Sequence, residues 1–195
     1  YLLIFASCRF QYLLCKHSRL NIKIVMKVDY YNGISGIYFK KIISNIIKIG
    51  NLDKTEEIIL DFGCGSKILS KKLSGKKILN YDINPNYTEY DDYKKLYFDI
   101  VVFNHVLMYM EKKEIISTFE NIKKINENCK FIVGMGKGGL INKLAALVSL
   151  NFTAHKGILS TYRQQQEILN KHTKILKTKK NIFFMTDIYY TSFNN

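Results

Sequence analysis

The run Ile58-Ile59-Leu60-Asp61-Phe62-Gly63-Cys64-Gly65 constrains this chain more than any other. Ile58, Ile59 and Leu60 form a short apolar stretch of the kind that fills the centre of a parallel sheet. Gly63 and Gly65 then free the backbone for a sharp turn and let a ligand come close to the main chain. Helical spacing resumes in Lys67-Ile68-Leu69-Ser70-Lys71-Lys72-Leu73, so the turn opens into a helix. A strand, a glycine turn and a helix in this order form a unit at which nucleotide-like cofactors bind. The plainer alternative is a strand-to-helix turn that is glycine-rich for geometric reasons alone.

The acidic residue separates cofactor classes. A dinucleotide fingerprint, G-x-G-x-x-G, gathers backbone N–H groups around an anionic pyrophosphate. Here Asp61 ends the strand two residues before Gly63, where it would repel a pyrophosphate and suit a partly cationic ligand. The third glycine is also missing, with Lys67 or Ile68 where it would fall. The D-x-G-x-G spacing of Asp61, Gly63 and Gly65 resembles motif I of the class I S-adenosylmethionine (SAM)-dependent methyltransferases. In that family the position of Lys67 is often glycine, so Lys67 is a departure that bears on loop geometry. SAM carries an ammonium, a carboxylate and a sulfonium, and no phosphate. The resemblance implies cofactor contacts from Asp61, Phe62, Gly63, Cys64 and Gly65.

Two further segments fall where the resemblance needs them. Lys77-Ile78-Leu79-Asn80-Tyr81-Asp82 reads as a second strand, and Asp82 lies in the zone where an acidic residue, about 20 positions on, accepts hydrogen bonds from a ribose. The competing reading is an ordinary strand-end Asp entering the turn Ile83-Asn84-Pro85-Asn86. Ile83 would accompany Asp82 at the cofactor. Phe98 to Leu107 contains the unbroken run Ile100 to Phe103, a strand buried on both faces. It resembles the motif IV strand of the same family, which leads into a loop beside the transferred methyl group. Asn104 then reads as a cofactor contact and His105 as a candidate base, against the commoner case of a structural histidine. Between Asp82 and Asp99 the crossover is short, and the helix the family usually places there is reduced or lost. Asp92, or Asp91, could receive the adenine amino group; two solvated loop carboxylates are the competing reading.

Length and composition bound the rest. At 195 residues the chain fits one domain with a single core. The net charge of +14 invites a nucleic-acid partner. Arginine occurs only at Arg9, Arg19 and Arg163, so bidentate phosphate recognition is not favoured and the lysines read as a compositional bias. Cys8, Cys15, Cys64 and Cys129 lack paired spacing, which points to neither a metal site nor a disulfide framework and fits a cytoplasmic protein. Residues 1–25 hold Arg9, Lys16, Arg19 and Lys23 and no acid, and Met26 is a plausible start. They read as a non-native or poorly ordered extension, or a membrane-surface segment; the apolar run at residues 1–7 is too short to span a bilayer. Residues 26–195 then form one catalytic domain.

The pattern along that domain predicts a helix over residues 38–49, a helix over 111–126 and a strand over 129–134. Gly134, Gly136, Gly138 and Gly139 read as a flexible loop, and residues 140–150 as an apolar helix packed on the sheet. Thr161 and Gln164 make a capping-box pattern. Residues 173–176 and 182–190 read as strands joined by a lysine-rich turn over 177–181. The resemblance therefore implies an α/β, Rossmann-like methyltransferase fold over about residues 28–193, with a mostly parallel sheet, helices on both faces and a C-terminal antiparallel hairpin.

The activity implied is attack by a substrate O, N, S or C atom on the methyl carbon of SAM, with alignment of donor and acceptor supplying most of the catalysis. His155, Tyr31, Tyr38 and Tyr109 are acceptor-pocket candidates. Asn104-His105-Val106-Leu107 is not the N-P-P-[YF] of enzymes that methylate exocyclic amines, and no Pro-Cys pair is present. A small-molecule, lipid or sugar acceptor is favoured over nucleic acid. The alternatives are an NAD-binding oxidoreductase and a catalytically silent SAM-fold partner subunit, the latter motivated by Lys67 and the short segment 83–97. Nothing in the sequence indicates an oligomeric state.

Overall fold

A computed structural model of the chain describes residues 33–137, 158–182 and 185–194. Its elements are α1 (Gly33–Gly50), β1 (Ile59–Phe62), α2 (Ile68–Lys72), β2 (Ile78–Tyr81), β3 (Ile100–Asn104), α3 (Lys112–Ile125), β4 (Lys130–Gly136), α4 (Tyr162–His172), β5 (Thr173–Ile182) and β6 (Thr186–Phe193). The six strands form one sheet in the order β2-β1-β3-β4-β6-β5. β2, β1, β3 and β4 are parallel, and β6 pairs antiparallel with both β4 and β5. The expected mostly parallel sheet with a terminal antiparallel hairpin is present.

The apolar runs predict these strands because both faces are covered. Ile59, Ile100, Val102, Ile132 and Ile188 meet Ile42, Ile43 and Ile46 of α1 and Leu69 of α2. The opposite face carries Leu60, Phe62, Val101, Phe103, Phe131, Val133 and Tyr189 against Ile115, Phe119 and Ile122 of α3 and Ile168 and Leu169 of α4. Residues alternating along one strand thus serve two separate layers, as the period of two requires. Thr161 caps α4 as expected: its side chain accepts from the Gln164 N–H, and the Gln164 side chain returns a bond to the Thr161 N–H.

Two expectations are corrected. Gly134 and Gly136 are strand residues of β4, not a loop. The lysine-rich stretch 177–181 is no turn either, because β5 runs through it and the chain reverses between Ile182 and Thr186. β5 is the outermost strand, so its backbone pairs with β6 on one side while its lysines reach water, a common way to protect a sheet edge. Helix α1 begins at Gly33, five residues before the predicted start. Residues 1–25, Met26, Tyr31, Gly138, Gly139, the helix expected over 140–150 and His155 lie outside the described residues. The crossover 83–97 is short, as expected, and holds only a 3-10 turn at Tyr93–Lys95. Tyr93 seals it onto the sheet, with ring centroids 5.1 Å from Phe62 and 5.3 Å from Tyr81.

Gly63 joins β1 to the turn at φ +77°, and a Cβ there would stand 2.4 Å from Cγ2 of Val106. Gly63→Ala is therefore expected to cost about 1–3 kcal/mol through backbone strain and overpacking. A urea titration checks this: the midpoint should fall with the slope unchanged.

Candidate active site

In open α/β sheets the carboxyl ends of the parallel strands form the ligand edge. The two strands next to each other there, β1 and β3, place Asp61 and Asn104 on the α1 face, each two residues beyond Ile59 and Val102 of that layer. Asp61 is 5% exposed, and among the described residues its carboxylate receives no hydrogen bond. Burial, and then the charge of Asp82, pushes its pKa up to about 7. The Asn104 Oδ1 is buried without a hydrogen-bond partner. Gly134, opposite Asn104 in the register, leaves it space, since a Cβ there would lie 3.3 Å from that oxygen. Two buried acceptors that lack donors, one of them an anion pressed by a second carboxylate, match a cationic N–H donor. An ammonium group has that chemistry.

The turn after β1 is held from β2. The N–H groups of Gly63 and Cys64 both donate to the Tyr81 carbonyl, at 2.7 and 3.1 Å. Gly65, at φ +47°, has open space where a Cβ would stand, and its N–H donates to Asp82 Oδ2 at 2.9 Å. Asp82 Oδ1 accepts from the Asn84 N–H at 2.9 Å, so the strand-end turn considered from the sequence is formed. The half-buried Asp82 side chain closes this turn and stands at the glycine loop, with a second lone pair on each oxygen. Ile83 beside it is 94% exposed.

Three candidates take structural places. The Phe62 side chain packs in the opposite layer against Tyr81, Tyr93 and Phe103, so only its main chain adjoins the turn. Asp92 caps the 3-10 turn, its Oδ1 accepting from the Lys94 N–H at 3.0 Å, and Asp91 is exposed beside it. The Cys64 thiol donates to the Tyr87 carbonyl at 3.5 Å and is pushed up to about 12, chiefly by burial, which keeps it neutral.

Lys67 has a geometric explanation. It caps α2 at φ 58°, ψ 40°, the left-handed conformation that glycine adopts at no steric cost. Its ammonium meets Glu89 at 2.8 Å and holds that carboxyl below its usual range. The Asn80 amide donates to both Glu89 oxygens at 3.1 Å, and Ser70 donates to Asn80 Oδ1 at 2.6 Å. The chain Lys67–Glu89–Asn80–Ser70 ties the short crossover to the glycine turn. Glu89, Asn80 and Ser70 carried no signal in the sequence, because their partners lie up to 22 residues away.

His105 follows Asn104 at φ 60°. Its Nε2 is 3.0 Å from the Thr186 hydroxyl, which also bonds the Tyr38 hydroxyl. The ring stands edge-on to Tyr38 and Phe39 of α1, at centroid distances of 6.3 and 6.0 Å. Gly136 makes room for it, since a Cβ there would lie 3.4 Å from Nδ1 and Cε1. Tyr38, a pocket candidate, therefore packs against His105, together with Thr186, which the sequence did not single out. Tyr109 lies in the 3-10 turn Leu107–Tyr109 and is 46% exposed at the rim. Among the described residues, no three His, Cys, Asp or Glu side chains gather as a metal site requires, and no helix is long and apolar enough to cross a membrane.

Comparison with known proteins bears on the family and the fold. Residues 35–132, just over half of the chain, match the family described as "Methyltransferase domain". Comparison with curated protein sequences returned no match. Among solved structures, magnesium protoporphyrin IX methyltransferase from Synechocystis, with bound S-adenosylhomocysteine (SAH), aligns at TM-score 0.58 and 15% identity over 84% of this chain and 88% of that one. The N-methyltransferase NodS from Bradyrhizobium japonicum, also with SAH, aligns at TM-score 0.58 and 12% identity over 81% and 88%. The 1,6-didemethyltoxoflavin-N1-methyltransferase from Burkholderia thailandensis aligns at TM-score 0.57 and 10% identity over 81% and 79%. At these identities the likeness establishes the Rossmann-like methyltransferase fold.

The buried Asp61 makes stability depend on pH. An ordinary Asp ionises near 3.8, and this one ionises at about 7 in the fold. Below the lower value both states are protonated and the residue adds no penalty. Between the two values the unfolded chain ionises first, so stability falls as pH rises, and above the higher value the whole penalty stands. Asp61→Asn is expected to stabilise the ligand-free protein at pH 8 by on the order of 1–3 kcal/mol and to have little effect at pH 4. Denaturant melts of both proteins at the two pH values measure the difference.

Proposed function

We propose that this chain, which belongs to the methyltransferase-domain family, binds SAM at the carboxyl edge of β1, β2 and β3 and transfers its methyl group to a small-molecule, lipid or sugar acceptor. The observation that carries the reading is the pair of buried acceptors at Asp61 and Asn104, which await a cationic donor such as the SAM ammonium. Asp82 offers its remaining lone pairs to the ribose hydroxyls from beside the Gly65 amide. Gly63, Cys64 and Gly65 bring the main chain close to the ligand, and Ile83 gives an exposed apolar surface for the adenine side. The sulfonium of bound SAM makes the methyl carbon electrophilic and supplies the leaving group.

What the chain must then do is hold the acceptor in line and keep water out. His105 lies next to Asn104 on the same edge. When its Nε2 bonds the Thr186 hydroxyl as an N–H donor, the lone pair that can take a proton lies on Nδ1. A base is needed only when the attacking atom keeps a proton of high pKa. Small-molecule acceptors are supported by the fold relatives whose substrates are a magnesium porphyrin and 1,6-didemethyltoxoflavin.

Titration calorimetry with SAM and, separately, NADH tests the proposal. Heat from SAM and none from NADH is expected; the reverse outcome sinks the reading. Asp82→Ala should weaken SAM binding by roughly 1–3 kcal/mol through lost charge-assisted hydrogen bonds. Asp61→Asn should weaken SAM binding at pH 8 although the same substitution stabilises the ligand-free fold.

A further inference from the structure

The positive charge is not spread evenly over the described surface. α1 carries Lys40, Lys41 and Lys48, β5 carries Lys174, Lys177, Lys179 and Lys180, and neither element contains an acidic residue. α3, by contrast, sets Lys112, Lys113, Lys123 and Lys124 against Glu114 and Glu120. None of the seven lysines of α1 and β5 forms an ion pair among the described residues, although Lys67, Lys76, Lys113, Lys130 and Lys137 all do. α1 lies against β5, and Lys48, Asn45 and Ile49 face Lys177, Thr178 and Lys179 across a shallow depression of about 270 Å³. Lys177 rests over the Tyr190 ring, 5.7 Å from its centroid.

Edge protection accounts for lysines on an outer strand, but it does not account for their neighbours. At the bulge in β5, Leu176 is 45% exposed between Lys174 and Lys177 on the open edge of the sheet, whereas Ile175, opposite Thr191, lies on the other side from Lys177 and Lys179. Lysine with exposed aliphatic side chains is the composition of a surface that enters the headgroup layer of a bilayer. A nucleic-acid surface would call for arginine forks and exposed aromatic rings on which bases stack. Neither α1 nor β5 contains an arginine, and β5 contains no aromatic residue. β5 runs in the same direction as β4, both being antiparallel to β6, so Lys179 and Lys180 lie toward the carboxyl edge that holds Asn104 and His105.

We propose that the open edge of β5 and the adjoining face of α1 dock this protein on an anionic phospholipid bilayer, with Lys48, Lys177, Lys179 and Lys180 at the headgroups and Leu176 in the interfacial layer. The attraction is electrostatic in range and apolar at contact. Binding must therefore need anionic lipid, weaken with salt, and keep a salt-resistant part that depends on Leu176. The proposal does not rest on the methyl-transfer reading.

Co-sedimentation of the full chain with vesicles tests it. Vesicles of phosphatidylcholine with roughly 30 mol% phosphatidylglycerol are compared with pure phosphatidylcholine at low salt and at about 0.5 M salt. Binding to the anionic vesicles only is expected. K177E/K179E/K180E should weaken it at least ~10-fold at low salt, and L176S should remove most of the binding that survives at high salt. Charge changes confined to β5 separate its effect from that of the basic residues in 1–25. K177Q/K179Q/K180Q, which adds no repulsion, serves if the reversal variant unfolds, with circular dichroism and melting temperature as the check on folding. Equal binding to both vesicle types, or binding unchanged in a folded lysine variant, overturns the proposal. So does retention of a single-stranded oligonucleotide by a protein that leaves anionic vesicles in solution.

Discussion

Ionisation of Asp61 is opposed twice, by the apolar layers around β1 and by the Asp82 carboxylate at the neighbouring strand end. The rest of the ligand edge is arranged around that opposition. Asp82 is itself occupied by two backbone amides, one from each loop, so it stays close instead of swinging into solvent. The glycine turn is pinned through Tyr81, and the turn in turn positions the start of α2. A fold that concentrates negative charge in a dry place stores a preference for a ligand of opposite sign. The penalty that burial and Asp82 place on the Asp61 carboxylate is one that a neighbouring positive charge would relieve.

The second organising device is subtraction. Gly134 and Gly136 put no side chain on the α1 face of β4, and Asn104 and His105 fill part of the space left. Thr186 and Tyr38 then reach the same point from β6 and α1. Four elements distant in sequence meet around one imidazole. The left-handed backbone at His105 is what aims the ring back over β4 instead of along the strand.

Much of this was legible in the sequence, and the reason is range. Strand runs, the Asp61–Gly63–Gly65 spacing, the Thr161 cap and the shortened crossover are local patterns. They follow from burial on two faces, positive φ and hydrogen bonds three residues apart. Lys67 looked anomalous because its residue type hides a backbone conformation that the structure shows directly. The lysine run in β5 looked like a turn because an outer strand paired on one side has no apolar alternation to announce it. Thr186 and Glu89 were silent because each acquires its place only from partners that the sheet brings near. At Phe62 the main chain enters the turn and the side chain belongs to the core.

The position of β6 has a consequence for how the molecule is made. It lies between β4 and β5, yet it follows both in the chain. During synthesis β5 leaves the ribosome with no strand beside it, and β4 keeps an open edge until the segment Thr186–Phe193 arrives. The last strand is therefore a keystone inserted from the side, and the sheet cannot close progressively from its first residue. Until it enters, β4 is paired on the β3 side alone, and its other edge presents a row of open backbone groups, the kind of edge that invites pairing with another chain.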